Sequence, residues 1–272
     1  MSYHGDMTDS STAHAKPREV ILMVADISGY THFMVSNRDT LGHAHGVISE
    51  LIKTIIREIR IPLQVSKLEG DAVFLYAMKA GGGMPWEERK KRIRGKLFSF
   101  FKAFRARALE LQHSGACACG ACANADRLRL KAVVHSGSAI RAKLGRYEEL
   151  TGVDVIVLHR LLKNSLKSHE YILFTEGAYR DLGYLPGELA VVDGTEHYDD
   201  VGDVKVKVNY PYGAPPDEAA DTAPLPIDEA DRKRYSSRFY RIKNMIPKMI
   251  TMYALKWGLR KEPEYRNLPK ID

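Results

Sequence analysis

The chain has 272 residues, 44% hydrophobic and 28% charged, the balance of an ordinary soluble globular protein, which excludes a fibrous or wholly disordered chain. His4, Asp6, Asp9, Ser10 and Ser11 stand where a secretory signal needs an apolar core, and no apolar run reaches membrane-spanning length, so a cytoplasmic protein is expected. The net charge of +7 belongs to one segment: residues 232–261 hold ten Lys or Arg and no Asp or Glu, and the remainder has 31 basic against 34 acidic residues, which argues against a nucleic-acid binder.

Residues 1–17 read as a disordered N-terminus. The apolar run from Val20 to Ala25 predicts a buried strand over 19–26, and Leu41, Ile48, Leu51, Ile52 and Ile55 predict a helix over 38–59 with one apolar face. Strands over 62–67 and 72–78 flank Glu69-Gly70 as a hairpin. Gly81-Gly82-Gly83 then precedes a second long helix, 86–112, followed by a strand over 127–136. The order βαββαβ predicts an α+β fold, a ferredoxin-like layer with helices on one face of an antiparallel sheet. A helix from Val153 to Lys167, a strand from Tyr171 to Thr175, a short helix to Leu182 and strands over 188–193 and 203–209 complete a domain spanning 18–210. Residues 211–231, with five prolines and six acidic residues, read as a linker. In the tail, 232–272, Ile246, Met249, Ile250, Tyr253 and Trp257 follow helical spacing around Pro247. Such a basic amphipathic helix fits a membrane surface, and equally fits docking on the domain or on a second protomer.

Two features carry chemistry. Asp26 ends the first strand and Asp71 opens the third, so pairing those strands side by side brings both carboxylates to one sheet edge, where they can bridge divalent cations. The plainer reading gives Asp26 a helix-capping role and Asp71 a turn-closing one. His113, Cys117, Cys119 and Cys122 place four soft ligands within ten residues, a set suited to a tetrahedral structural zinc. Ordinary thiols in a loop and a redox switch are the alternatives, while three cysteines in one cluster argue against a disulfide framework.

Ala25-Asp26-Ile27-Ser28-Gly29-Tyr30-Thr31, Lys67-x-x-Gly70-Asp71, Val134-His135-Ser136-Gly137, Gly152 with Arg160 eight residues on, and Ile172-Leu173-Phe174-Thr175-Glu176 occur in this order. Over roughly 18–210 this series resembles the catalytic domain of class III nucleotidyl cyclases. With Leu150-Thr151-Gly152 and His159 to Asn164 it looks like an uncharacterised bacterial branch of that superfamily. The resemblance implies attack of the ribose 3′-hydroxyl of ATP on its α-phosphate, giving cyclic AMP and pyrophosphate. Mg²⁺ or Mn²⁺ would be held by Asp26, Asp71 and the main chain at Ile27, with phosphate donors from the backbone of Ile27, Gly29, Tyr30 and Thr31. Lys67 and Glu149 would read adenine as donor and acceptor, and Arg160 would stabilise transition-state charge. It further implies a homodimer with composite sites, Asp26, Asp71 and Lys67 of one chain facing Arg160 of its partner. Two positions depart from the pattern: Glu149 is one methylene longer than the expected aspartate, and Ile156 stands where an orienting asparagine is expected. His159 and Asn164 are the candidate substitutes. The alternative to an enzyme is a degenerate cyclase fold that binds nucleotide and signals without turnover.

Overall fold

The computed structural model describes residues 16–81, 83–114, 119–144, 147–183, 191–213, 221–237, 240 and 242. The elements in chain order are β1 (Arg18–Ser28), α1 (Tyr30–Ser36), α2 (Leu41–Glu58), β2 (Gln64–Glu69), β3 (Ala72–Met78), α3 (Trp86–Ser114), α4 (Gly120–Ala123), β4 (Arg129–Leu144), β5 (Tyr147–Thr151), α5 (Val153–Leu161), β6 (Tyr171–Thr175), α6 (Glu176–Leu182), β7 (Val191–Tyr198), β8 (Gly202–Asn209) and α7 (Glu229–Ser236). The strands form one sheet in the order β2-β3-β1-β4-β6-β8-β7, with β5 paired to β4. The mixed α+β fold is the one expected.

The run Val20 to Ala25 is apolar at successive positions because β1 is central and covered on both faces. Ile21, Met23, Ala25 and Ile27 face one core with α2, α3 and α6, whereas Val20, Leu22 and Val24 face a second core with Val157, Leu158 and Leu161 of α5. Helices therefore lie on both faces, not one. The sheet is also not wholly antiparallel, since β4 and β6 run parallel.

The first core is set by α3, whose Ile93, Leu97, Phe100, Phe101, Phe104 and Ala108 recur at the helical period and are fully or almost fully buried. On α2 the buried stripe is Ala44, Val47, Ile48, Leu51, Ile55 and Ile56, and Leu41 at the helix start is exposed instead. The helix expected to reach Lys167 stops at Leu161. There the Asn164 side chain donates to the Leu161 carbonyl at 2.8 Å and to Tyr171 Oη at 2.8 Å, a local bond that competes with further helical turns.

Part of the expected linker belongs to the domain. Leu225 is buried in the first core, its amide donates to Asp126 O at 3.2 Å, and Asp221 accepts from the His169 amide. After Leu225, α7 packs on α3. The N-terminal segment 1–15, Cys117 and the amphipathic stretch expected around Pro247 lie outside the described residues. Among the described residues no helix is long and apolar enough to cross a membrane.

Candidate active site

Asp26 pairs in register with Ala72 on β3 and with Lys131 on β4. Its alternation with Val24 aims it at the α5 face of the sheet. Asp71 follows Gly70, whose φ of 61° makes the hairpin turn. The two carboxyls meet: burial and then the Asp26 charge, with a hydrogen bond that the protonated Asp71 donates to the Asp26 carboxylate, push Asp71 up to about 7. Like charges this close resist joint ionisation. Lys131 Nζ, 3.0 Å from Asp26 Oδ2, offsets part of that repulsion. Lys131 was not singled out in the sequence, although its position four residues before His135, at the same strand parity, was a usable signal.

The carboxyl pair fits divalent cations. Two half-buried carboxyls that repel one another enough to hold a proton near neutral pH are relieved when a cation replaces that proton. Ile27 directly follows Asp26 on β1, and Gly29, at φ 85°, turns the chain into α1. A cavity of about 510 Å³ opens beside this turn, lined among others by Ser28, Gly29, His32, Arg127 and His169. The cationic and imidazole groups in that lining come from segments remote in sequence and carried no motif signal.

Lys67 and Glu149 come together on another cavity. They line it with Phe74 and, from α5, Leu158 and His159. A register shift between Val65 and Lys67 re-aims the lysine. Its Nζ lies 3.1 Å from Glu69 and 4.9 Å from the Phe74 ring centroid. The His159 ring stacks on Phe74 with centroids 4.5 Å apart and planes at 26°. Burial, and then the Lys67 charge, lower the His159 pKa, favouring a neutral ring. The space left measures about 30 Å³, the share of one water, whereas ligand pockets run to about 300 Å³ or more. Lys67 thus shares its cavity with Glu149 and with α5 of its own chain.

On α5, Val153, Ile156 and Arg160 form an exposed face, Ile156 at 52%. Arg160 Nε donates to Asp200 Oδ2 at 2.9 Å. His159 stacks on Phe74 at the edge of that cavity, and Asn164 is engaged in its turn.

The Val-His-Ser-Gly motif fixes α5. One tautomer satisfies every contact: His135 Nε2–H donates to Asp154 Oδ1 at 3.0 Å, and Nδ1 accepts from Thr175 Oγ1 at 3.0 Å. Thr175 Oγ1 in turn accepts from the Ala178 amide and caps α6. Burial alone would raise the Asp154 pKa, but the Ser138 amide and His135 hold it below the usual carboxylate range. Gly137 is required because a Cβ there would lie 2.6 Å from Asp154 Cβ.

The expected zinc set is rearranged. Among the described residues Cys119 and Cys122 cluster with His43 of α2. His113 is not in the group and lies within electrostatic reach of Asp126.

Residues 48–171 match the model of a family described as a protein of unknown function, DUF2652. Over 129 residues the chain is 32% identical to an uncharacterized protein of Mycobacterium tuberculosis, covering 47% of this chain and 57% of that one. The chain thus spans little more than half of that curated relative. Among solved structures it is similar to a bacterial light-regulated adenylyl cyclase, with TM-score 0.56 and 16% identity over 78% of this chain and 57% of the other. It is also similar to the guanylyl cyclase Cya2, with TM-score 0.52 and 12% identity over 77% and 99%. The adenylyl cyclase CyaB from P. aeruginosa gives TM-score 0.52 and 14% identity over 71% and 94%. The fold is that of class III adenylyl and guanylyl cyclase domains, as the order of motifs implied.

Proposed function

We propose that the chain is a class III-type nucleotidyl cyclase that converts ATP to cyclic AMP and pyrophosphate across a homodimer interface. The observation that carries this reading is the meeting of Asp26 and Asp71, a carboxyl pair in which burial and then the Asp26 charge push Asp71 up to about 7. Asp26, Asp71 and the main chain at Ile27 would hold Mg²⁺ or Mn²⁺. When bound, such ions activate the ribose hydroxyl and neutralise the phosphates.

The chain's own residues divide the remaining work. Lys67 donates to and Glu149 accepts from the base edge. The backbone from Gly29 to Thr31 and the cavity holding Arg127 and His169 receive phosphates. Lys131 holds Asp26 in place and offsets part of the negative charge of the carboxyl pair. Arg160, on the exposed face of α5 with Val153 and Ile156, reaches the phosphates bound by the partner protomer, and that apolar patch supports a dimer contact. The resulting site takes its aspartates from one protomer and Lys67, Glu149 and Arg160 from the other.

A second reading, a nucleotide-binding module without turnover, is favoured by a different observation. The His159–Phe74 stack leaves only about 30 Å³ between Lys67 and Glu149, and Ile156 can neither donate nor accept. Incubation with each nucleoside triphosphate and Mn²⁺, read by mass spectrometry, separates the two. Cyclic AMP that disappears in Asp71→Ala establishes the cyclase; Mn²⁺-dependent ATP binding without product establishes the module. Absence of both would sink the site assignment.

A further inference from the structure

Cys119 precedes the one-turn helix α4 and Cys122 lies within it, and His43 sits in the first turn of α2, 76 residues before Cys119. Their ligand atoms all lie within 4.8 Å of one another. Cys119 Sγ is 3.4 Å from His43 Nδ1. Around a tetrahedral zinc, Zn–S of about 2.3 Å and Zn–N of about 2.0–2.1 Å set the S···N separation at roughly 3.5 Å. The approach of the two segments is built into the backbone: a Cβ on Gly120 would stand 2.8 Å from Asn37 Oδ1, and Asn37 is itself held by its bond to the Phe33 carbonyl at 2.8 Å. The surrounding sequence, Cys119-Gly-Ala-Cys-Ala-Asn124, contributes Ala121 to the core and little else apolar. Within this turn only small side chains therefore reach the core beside α2.

We propose that His43, Cys119 and Cys122 are ligands of a structural zinc ion that clips the α3-to-β4 connection to the start of α2. Two thiolates and an imidazole select a soft or borderline ion over Mg²⁺ or Ca²⁺. The site is thereby chemically separate from the carboxylate pair of Asp26 and Asp71. Its ligands come from both sides of a long stretch of chain, so the ion stabilises the fold by closing that loop, as a disulfide would. His43, not His113, is the imidazole donor.

The test uses the full chain purified under reducing conditions, with zinc measured by mass spectrometry and affinity by competition with a chromophoric chelator. About one zinc per chain is expected, bound at least tenfold more weakly in His43→Ala and Cys122→Ser and unchanged in His113→Ala. Wild-type protein loaded with Co²⁺ will show a thiolate-to-cobalt charge-transfer band and the strong visible absorption of a tetrahedral ion. That readout does not depend on the variants folding. Failure of the wild-type chain to take up either metal, or wild-type zinc affinity in a folded His43→Ala, would each overturn the proposal.

Discussion

The imidazole of His159 lies flat against the ring of Phe74, 4.5 Å between centroids, and fills the space between Lys67 and Glu149 where a purine would have to enter. A nucleotide base can reach that pair only if the stack opens. The stacking contact is worth about 0.5–1.5 kcal/mol beyond its buried area. His159→Ala is therefore expected to tighten Mn²⁺-dependent ATP binding by up to about tenfold, measured by fluorescence titration with a labelled nucleotide. Lys67→Ala will weaken it. Unchanged affinity in both variants would place the base elsewhere.

The carboxyl pair gives a pH-dependent stability with a definite sign. Asp71 is raised from 3.8 to about 7 in the folded chain, so protonation favours the fold, and its stabilising effect is present below pH 4 and lost as pH rises through about 7. With metal chelated, Asp71→Asn is expected to be more stable than wild type at pH 8, by about 1 kcal/mol once solvent screening of this half-buried group is allowed for. The difference will vanish near pH 4, and Mn²⁺ will raise the melting temperature of the wild type only. Calorimetry at the two pH values, with and without Mn²⁺, checks all three statements.

Ile156 is exposed and makes the fold no visible contribution, so Ile156→Asn restores the orienting group of the cyclase pattern without structural cost. Turnover of ATP in Mn²⁺ should rise by about 10²–10³, with the melting temperature unchanged. No gain in product, in a variant that still binds ATP, would favour the signalling module.

Gly137→Ala forces the new methyl into Asp154, which ties β4 to α5 through His135 and the Ser138 amide. We expect a loss of about 2–3 kcal/mol, the range for overpacking joined to a broken buried bond, read as a fall in the urea midpoint. His135→Ala should cost a similar amount, because its role is to hold Thr175 and Asp154 together. A variant of either kind with wild-type stability would show that this network does not position α5.

Much of the fold is present in the sequence because its signals are local. The unbroken apolar run of β1 announces a strand covered on both faces, and Ile93 to Ala108 on α3 announces one buried helix stripe. Asp26 and Asp71 were also legible, since strand ends and a glycine turn fix where a carboxylate comes to lie. Other features depended on packing between distant segments. Lys131 enters the site only because β4 pairs with β1 in one register, and His43 lies beside Cys119 and Cys122 because α2 packs against α4. Leu225 is buried although its proline-rich setting looks like a tether, and the stack of His159 on Phe74 joins a helix to a strand that no periodicity connects. Spacing along the chain decides which face of an element a side chain occupies; only the packing of elements decides what that face meets.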